Sequence, residues 1–205
     1  MVVAEQILLK RLGRAAYLTV LEAMRAFTAR RDAATPDELW LVEHPPVYTL
    51  GLAADPAHGP RLAGDIPLVQ VERGGEITYH GPGQVVLYTL VDLARRGIKV
   101  REFVRLLERS VLDLLGGRGE VRPGAPGVYV DGAKIAALGI RVRRGCAFHG
   151  LSLNVDMDLA PFAAIDPCGY PGLRVTQTRD IGLAGSPDDL GTKLAANLAE
   201  ALEHA

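Results

Sequence analysis

The chain has 205 residues, of which 48% are hydrophobic and 23% charged, a composition typical of a folded globular protein. Its net charge of −1 leaves no overall excess to direct it to nucleic acid or an anionic membrane. The apolar runs fall well short of the ~20 residues of a transmembrane helix, and the N-terminal stretch lacks the pattern of a secretory signal. We therefore expect one domain spanning residues 1–205, located in the cytoplasm, with no nucleic-acid or membrane partner.

The hydrophobic pattern predicts helices interspersed among strands. In chain order, we expect a helix at residues 15–31, strands at 38–43, 47–50, 67–72 and 84–90, a helix at 100–115, strands at 127–130, 134–142 and 146–155, and a helix at 187–203. The last helix has Ser186 as its expected N-cap and Pro187 at its first position. Residues 53–64, rich in Gly, Pro and Ala, are expected to form an exposed loop.

Turn signals indicate how the later strands are connected. Asp131 and Gly132 have the composition of a tight hairpin turn, and Arg143, Arg144 and Gly145 supply a second turn. The last three strands should therefore form an antiparallel meander. Helices interspersed among such strands favour an α+β fold, with a mixed, mostly antiparallel sheet and flanking helices, over a doubly wound parallel fold.

The segment RGGEITYHGPGQ at residues 73–84 combines four glycines with a dense set of polar side chains. A glycine-rich turn holding a satisfied histidine would explain the glycines but not the other polar groups. We therefore predict that this segment approaches a ligand, with Arg73, Thr78, Tyr79 and His80 turned toward a shared cavity.

The two cysteines have different sequence surroundings. Cys168 lies among prolines and glycines that exclude regular structure, whereas Cys146 begins an apolar strand, as a buried structural thiol does. A nucleophilic Cys168 needs a positive charge or base nearby, because an ordinary thiol is only ~3% ionised at pH 7. The candidates are Lys134, His80 and His149. From the residue alone, Lys134 is interpreted as an edge lysine, with partial enclosure at a strand end as the alternative, and His149 is interpreted as a satisfied strand histidine.

Metal and nucleotide motifs are not found in the sequence. The histidines and cysteines show no CxxC, HExxH or HxH spacing, so we expect no metal site. Neither GxxxxGK[ST] nor a GxGxxG that opens a helix after a strand is present, which disfavours the common nucleotide-binding folds.

Five motifs occur in the order known from one family. They are EHPPVYTLG at residues 43–51, RGGEITYHGPGQ at 73–84, GAKIAALGIRV at 132–142, FHGLSLNV at 148–155 and DPCGYPG at 166–172. This set resembles the lipoyl(octanoyl) transferases over residues 39–176. Beyond it, Gln177 and Thr178 stand where the family pattern leads us to expect a serine.

The resemblance implies the α+β fold of the biotin and lipoate protein ligase catalytic domains. It also implies transfer of octanoyl from acyl carrier protein to a lysine of lipoyl domains, in 2-oxoacid dehydrogenase E2 subunits and glycine cleavage H protein, with no cofactor. In that family the cysteine equivalent to Cys168 takes up the acyl group as a thioester, and the lysine equivalent to Lys134 lowers the pKa of that thiol. Family contacts with substrate fall on Arg73, Gly74, Gly75, Glu76, Ile77, Thr78, Tyr79, His80, Ala137, Leu138, Gly139, Gly150, Leu151 and Ser152.

Two surfaces follow from this reading. Apolar side chains that would line an acyl slot, or serve as ordinary core, are Ala136, Ala137, Leu138 and Leu151. Basic side chains that would dock an acidic acyl carrier protein, or simply form solvated faces, are Arg101, Arg105, Arg109, Arg141, Arg143 and Arg144. An ATP-dependent lipoate or biotin ligase, and a binding module without turnover, remain as alternatives.

Overall fold

The structure, a computed structural model, describes residues 7–54, 65–166 and 172–205. The described elements are β1 (Leu8–Arg14), α1 (Tyr17–Arg30), β2 (Glu38–Glu43), β3 (Val47–Leu50), β4 (Leu68–Gln70), β5 (Ile77–His80), β6 (Gln84–Asp92), α2 (Leu93–Arg96), α3 (Val100–Leu114), β7 (Glu120–Arg122), β8 (Ala125–Val130), β9 (Ala133–Arg143), β10 (Cys146–Asn154), a 3-10 helix (Ala160–Ala164) and α4 (Pro187–Glu203). Among these residues, no helix is both long and apolar enough to span a membrane.

The strands form a large sheet and a small one. The large sheet has the order β1-β2-β6-β10-β9-β8-β7, and all its neighbouring pairs are antiparallel except β1 with β2. The small sheet has the order β4-β3-β5, with β3 parallel to β4 and antiparallel to β5. This mixed, mostly antiparallel arrangement confirms the predicted α+β class.

Helices cover both faces of the large sheet. On one face, α3 and α4 bury Phe103, Leu107 and Leu194 against the central strands. On the other face, α1 buries Met24 against Trp40 and its neighbours. A third cluster packs the small sheet against the 3-10 helix. Burying a large apolar side chain contributes about 1.5–3 kcal/mol, so these layers fix how the two sheets lie against each other.

The hydrophobic patterns correctly predicted three helices and seven strands of the structure. The three expected helices correspond to α1, α3 and α4, and the seven expected strands correspond to β2, β3, β4, β6, β8, β9 and β10. Ser186 caps α4, since its side chain accepts from the Asp189 amide while the Asp189 carboxylate accepts from the Ser186 amide. The β8–β9 turn has φ of 48° at Asp131 and 77° at Gly132, as a tight hairpin requires.

Five short elements were not predicted: β1, β5, β7, α2 and the 3-10 helix. β1 is mostly exposed along its length and forms through parallel pairing with β2, which leaves no alternating pattern to read. β5 lies inside the glycine-rich residues 73–84, to which we assigned no strand, and it forms by pairing with β3. β7 and α2 have only three and four residues. The loop expected at residues 53–64 lies outside the described residues except for Ala53 and Ala54.

Candidate active site

A slot runs between the large sheet and the segment that carries β5. Its wall comes from the start of α1, the residues around β5, and the middle of β6, β9 and β10. The space between its atoms, with the solvent at its open side included, is about 470 Å³, and most of the lining surface is apolar. It is lined by Tyr17, Arg73, Gly75, Glu76, Ile77, Thr78, His80, Val86, Tyr88, Ala137, Leu138, Gly139, His149, Gly150, Leu151 and Ser152.

Strand register brings the floor of the slot together. Ser152 pairs with Ala137, and two residues along, Gly150 pairs with Gly139. A Cβ atom on Gly150 would lie 2.1 Å from the carbonyl oxygen of Leu87, and one on Gly139 would lie 2.8 Å from a carbonyl oxygen in the 73–75 turn. Both positions therefore require glycine for close approach of backbone to backbone.

Arg73 fixes the turn that closes the slot. Its guanidinium is buried and donates to the carbonyl and hydroxyl oxygens of Thr49, each at 2.7 Å, and to the Gly74 carbonyl at 3.0 Å. Gly75 has a φ of 84°, which L side chains rarely adopt. The small sheet therefore positions this turn over the slot through a charged group.

Lys134 is enclosed at the start of β9. Its exposed fraction is 3%, its Nζ donates to the Pro126 carbonyl at 3.1 Å, and the same atom lies 5.2 Å from the ring centroid of Tyr129. The interpretation of Lys134 as an edge lysine is therefore wrong, because the side chain is enclosed. Burying an ammonium is costly unless polar or charged groups compensate it, so the enclosed Lys134 is a candidate functional residue.

A small cavity joins Lys134 to the slot. It shares Thr78, Ala137 and Ser152 with the slot, which puts the lysine at one end of that slot. Its full lining is Thr78, Lys134, Ala136, Ala137, Ser152, Asn154, Phe162 and Val175. The predicted nucleophile, Cys168, lies outside the described residues.

His149 lies at the opposite end of the slot. Its exposed fraction is 1%, and neither ring nitrogen has a hydrogen-bond partner within residues 7–54, 65–166 and 172–205. Our interpretation of a satisfied strand histidine is therefore wrong. The pKa of His149 is lowered to about 4, mainly by burial; Glu72 opposes this shift, and Arg73 and Arg25 add to it. The imidazole is therefore neutral at pH 7.

His80, which lines the slot, and His44, whose ring centroid lies 6.1 Å from that of His80, both have hydrogen-bond partners. The Nδ1 of His44 donates to the Ala15 carbonyl at 2.7 Å, and its Nε2 accepts from the Tyr88 hydroxyl at 2.8 Å. The Nδ1 of His80 donates to the side-chain oxygen of Gln84 at 2.8 Å, and burial lowers the pKa of His80 to about 3. These groups are neutral at pH 7, and His80 is consequently a weak base.

The remaining family positions divide between the slot and its surroundings. Gly74 lines a neighbouring groove, while Tyr79 points away into the third cluster, with its ring 5.5 Å from those of Tyr48 and Phe162. Tyr17, Val86 and Tyr88 line the slot although sequence reasoning did not select them as site residues. Only the sheet register and the start of α1 bring those three to the slot, so no local motif indicated them.

Cys146 has the surroundings of a structural thiol, as predicted. It is buried at the start of β10, whereas Asn154, which lines the Lys134 cavity, lies at the other end of that strand. Burial raises the pKa of the Cys146 thiol above its ordinary range. In the part of the chain that the structure describes, no group of three or more His, Cys, Asp or Glu side chains is arranged to hold a metal ion.

The fold is that of the lipoate and biotin protein ligases. A crystal structure of lipoate-protein ligase A bound with ATP superimposes with a TM-score of 0.76 at 17% identity, over 96% of this chain and 85% of that one. The biotin protein ligase from Aquifex aeolicus gives a TM-score of 0.54 at 11% identity, over 97% and 70% of the two chains. At these identities the likeness establishes the fold class alone.

Sequence comparison narrows this class to one family. Residues 16–199 match the family described as lipoyl protein ligase A/B catalytic domain, and the chain belongs to that family. The octanoyltransferase of Dechloromonas aromatica (strain RCB) is 59% identical over 197 residues, which cover 95% of this chain and 96% of that protein. The resemblance inferred from the five motifs is thereby confirmed.

Proposed function

We propose that this protein is an acyltransferase that moves an octanoyl group from a carrier-bound thioester to a lysine of a lipoyl domain. The observation that carries the proposal is the buried side chain of Lys134 at one end of a slot whose lining is mostly apolar. The high identity to a protein named octanoyltransferase supports the choice of acyl group. Octanoyl transfer to lipoyl domains is a step of protein lipoylation, which we expect in the cytoplasm.

In the first half-reaction the thiolate of Cys168 attacks the thioester carbonyl, and the carrier thiol leaves. Phe162 and Val175, which flank Cys168 at six and seven residues in the sequence, line the same cavity as Lys134. The backbone of Lys134 also pairs with this downstream segment, donating to the Arg174 carbonyl at 2.8 Å and accepting from the Thr176 amide at 3.0 Å. These contacts support a short distance between thiol and ammonium, which stabilises the thiolate.

In the second half-reaction the acceptor amine attacks the acyl-Cys168 carbonyl and the cysteine thiolate leaves. Lys134 can give its proton to the departing carrier thiolate in the first step and take one from the acceptor amine in the second. His80 is a poorer candidate for this role, because burial lowers its pKa to about 3. Exchange between thioesters is near thermoneutral and amide formation is downhill, so the proposed cycle needs no ATP.

The slot accounts for the acyl group. Its apolar lining at Ala137, Leu138 and Leu151 is positioned to contact a hydrocarbon chain. Burying the six methylenes of an octanoyl group contributes up to about 5 kcal/mol at ~0.8 kcal/mol each. This burial favours the acyl group over water and holds its carbonyl toward the Lys134 end.

We further propose that acyl carrier protein docks on a basic surface beside the slot. Val104 of α3 lines the groove that adjoins the slot at Gly75 and Leu138, and Arg101 lies one helical turn before it. The exposed arginines of this surface are Arg101, Arg105, Arg109, Arg141, Arg143 and Arg144. An acidic carrier would be steered to them, so transfer should weaken as ionic strength rises.

One assay tests the proposed reaction. The protein is mixed with octanoyl-acyl carrier protein and an unmodified lipoyl domain, without nucleotide, and the lipoyl domain is weighed by mass spectrometry. We expect the domain to gain one octanoyl group. A gain only with free octanoate and ATP would identify a ligase instead, and no gain under either condition would identify a binding module.

A further inference from the structure

The far end of the slot contains a polar group that an octanoyl chain does not use. His149 is almost fully buried, lines the slot, and makes no hydrogen bond to any described residue. Its neighbours differ, because the Tyr88 hydroxyl donates to His44 and the His80 ring donates to Gln84. An unsatisfied buried polar side chain costs stability and calls for an explanation.

The backbone at His149 adds an independent observation. Its φ is 64°, in the left-handed region that non-glycine residues rarely adopt, and the residue pairs with Ile140 of β9 but not with β6, whose pairing with β10 is interrupted at residues 148 and 149. Such strain persists where surrounding structure holds a side chain in a required place. Here the surrounding structure holds the imidazole at the wall of the slot, beside Gly150.

An eight-carbon acyl chain is long enough to reach this imidazole. Seven carbon–carbon bonds span about 9 Å when extended. Ser152, which lines both the Lys134 cavity and the slot, is two strand residues from Gly150, a rise of about 7 Å. An acyl group whose carbonyl lies at the Lys134 end therefore ends near His149.

We propose that His149 is a hydrogen-bonding site for a hydroxyl group at the far end of the acyl chain, so that the protein accepts ω-hydroxyoctanoyl as well as octanoyl groups. A neutral imidazole offers one donor and one acceptor, which match the acceptor and donor of a hydroxyl. The inference deepens the proposed function, because it names a second substrate class for the same slot. The proposed reaction stays the same at the carbonyl.

Equilibrium binding tests this inference independently of catalysis. Octanoate and 8-hydroxyoctanoate are titrated by calorimetry into the wild-type protein, His149→Phe and His149→Asn. A wholly apolar slot would disfavour the hydroxyl by roughly 100-fold, whereas the slot with His149 should bind the two acids within about threefold of each other. His149→Phe should then weaken 8-hydroxyoctanoate relative to octanoate by at least about thirtyfold.

The second variant separates hydrogen bonding from shape. Asparagine retains a donor and an acceptor and tolerates the left-handed backbone, so His149→Asn should restore most of the relative affinity for 8-hydroxyoctanoate. A wild-type protein that disfavours the hydroxy acid by thirtyfold or more, that binds neither acid, or whose preference is the same in His149→Phe overturns the inference. If His149→Phe does not fold, the wild-type ratio still decides.

The two proposals can fail separately. Wild-type protein that binds both acids equally but transfers no octanoyl supports the role of His149 and contradicts the proposed reaction. Protein that transfers octanoyl but disfavours 8-hydroxyoctanoate supports the proposed reaction and contradicts the role of His149.

Discussion

The two ends of the slot hold buried nitrogen groups in opposite states. Lys134 donates to a backbone carbonyl and lies against the Tyr129 ring, whereas His149 has no hydrogen-bond partner among the described residues. Both side chains are almost fully inaccessible to solvent. A compensated ammonium suits charge stabilisation at a reacting carbonyl, and an uncompensated neutral imidazole suits recognition of a bound group. We therefore propose that one slot combines a chemical end at Lys134 with a binding end at His149.

Removing the charge at the chemical end should have the largest effect. Lys134→Met keeps the length of the side chain and deletes the ammonium, so we expect acylation of the protein by octanoyl thioester to slow by roughly 100-fold. The remaining rate should rise up to about pH 8.5, as an unassisted thiol ionises. Mass spectrometry of reactions quenched at successive times, at several pH values, measures both effects. Lys193→Met is the control, because Lys193 is exposed on α4, and equal loss in both variants would remove Lys134 from the mechanism.

Gly150, on the floor of the slot between Lys134 and His149, should tolerate substitution poorly. In Gly150→Ala the new methyl group meets the Leu87 carbonyl oxygen at 2.1 Å, which forces β6 and β10 apart. We expect a loss of about 3 kcal/mol in the free energy of unfolding, measured by urea titration. Gly13→Ala is the matched control, since Gly13 has a φ of 62° but open space around it, and should cost only about 1 kcal/mol. Equal losses would show that the close approach is not limiting.

Acid should destabilise the binding end. Unfolded His149 takes up a proton below about pH 6.5, but in the folded protein its pKa is lowered to about 4, mainly by burial. The unfolded state therefore binds more protons between these values, and stability falls as the pH drops, by roughly 3 kcal/mol at pH 4 for this residue. Glu72 faces the ring and opposes the shift, while Arg73 and Arg25 reinforce it.

Paired variants isolate that contribution from other titrating groups. Urea unfolding at pH 7 and pH 4.5 should give a smaller stability difference for His149→Asn than for the wild type. His204→Asn, at an exposed position, should keep the wild-type difference. A His149→Asn protein that loses as much stability as the wild type would contradict the buried neutral state of His149.

The smallest predicted effect lies outside the slot. Reversing charge on α3 in the double variant Arg101→Glu, Arg105→Glu should lower kcat/KM for octanoyl-acyl carrier protein by about tenfold at low salt, mainly through association. At high salt the difference should shrink, because exposed charges are screened. Reaction with a small octanoyl thioester is the control and should not change. Loss with both donors would argue against docking at α3.

Much of the fold was readable from periodicity and turn chemistry. The amphipathic α1, α3 and α4 and the meander from β8 to β10 were predicted because each depends on local pattern. β1 and β5 were not, since each exists through pairing with a distant strand. In the site, Lys134 was selected by its motif, but its burial was not predicted, because a lysine at a strand end is commonly an exposed edge residue.

The binding end was the part that sequence could not give. A histidine before a glycine in an apolar strand is usually satisfied, and only the tertiary structure shows that His149 lines the slot with neither ring nitrogen hydrogen-bonded to a described residue. Tyr17 and Tyr88 were missed for the same reason, because α1 and β6 are brought to the slot by the packing of α1 on the sheet and by strand register. Long-range packing, and not a local motif, determines which residues line the His149 end of the slot.

The central claim is that Cys168 carries the acyl group beside Lys134. The most direct test is intact-protein and peptide mass spectrometry after mixing the protein with octanoyl-acyl carrier protein in the absence of an acceptor. The account predicts one octanoyl group on the peptide that contains Cys168, lost in Cys168→Ser and retained in Cys146→Ser. Octanoyl transfer to a lipoyl domain by Cys168→Ser at the wild-type rate, or an adduct on Cys146, would contradict it.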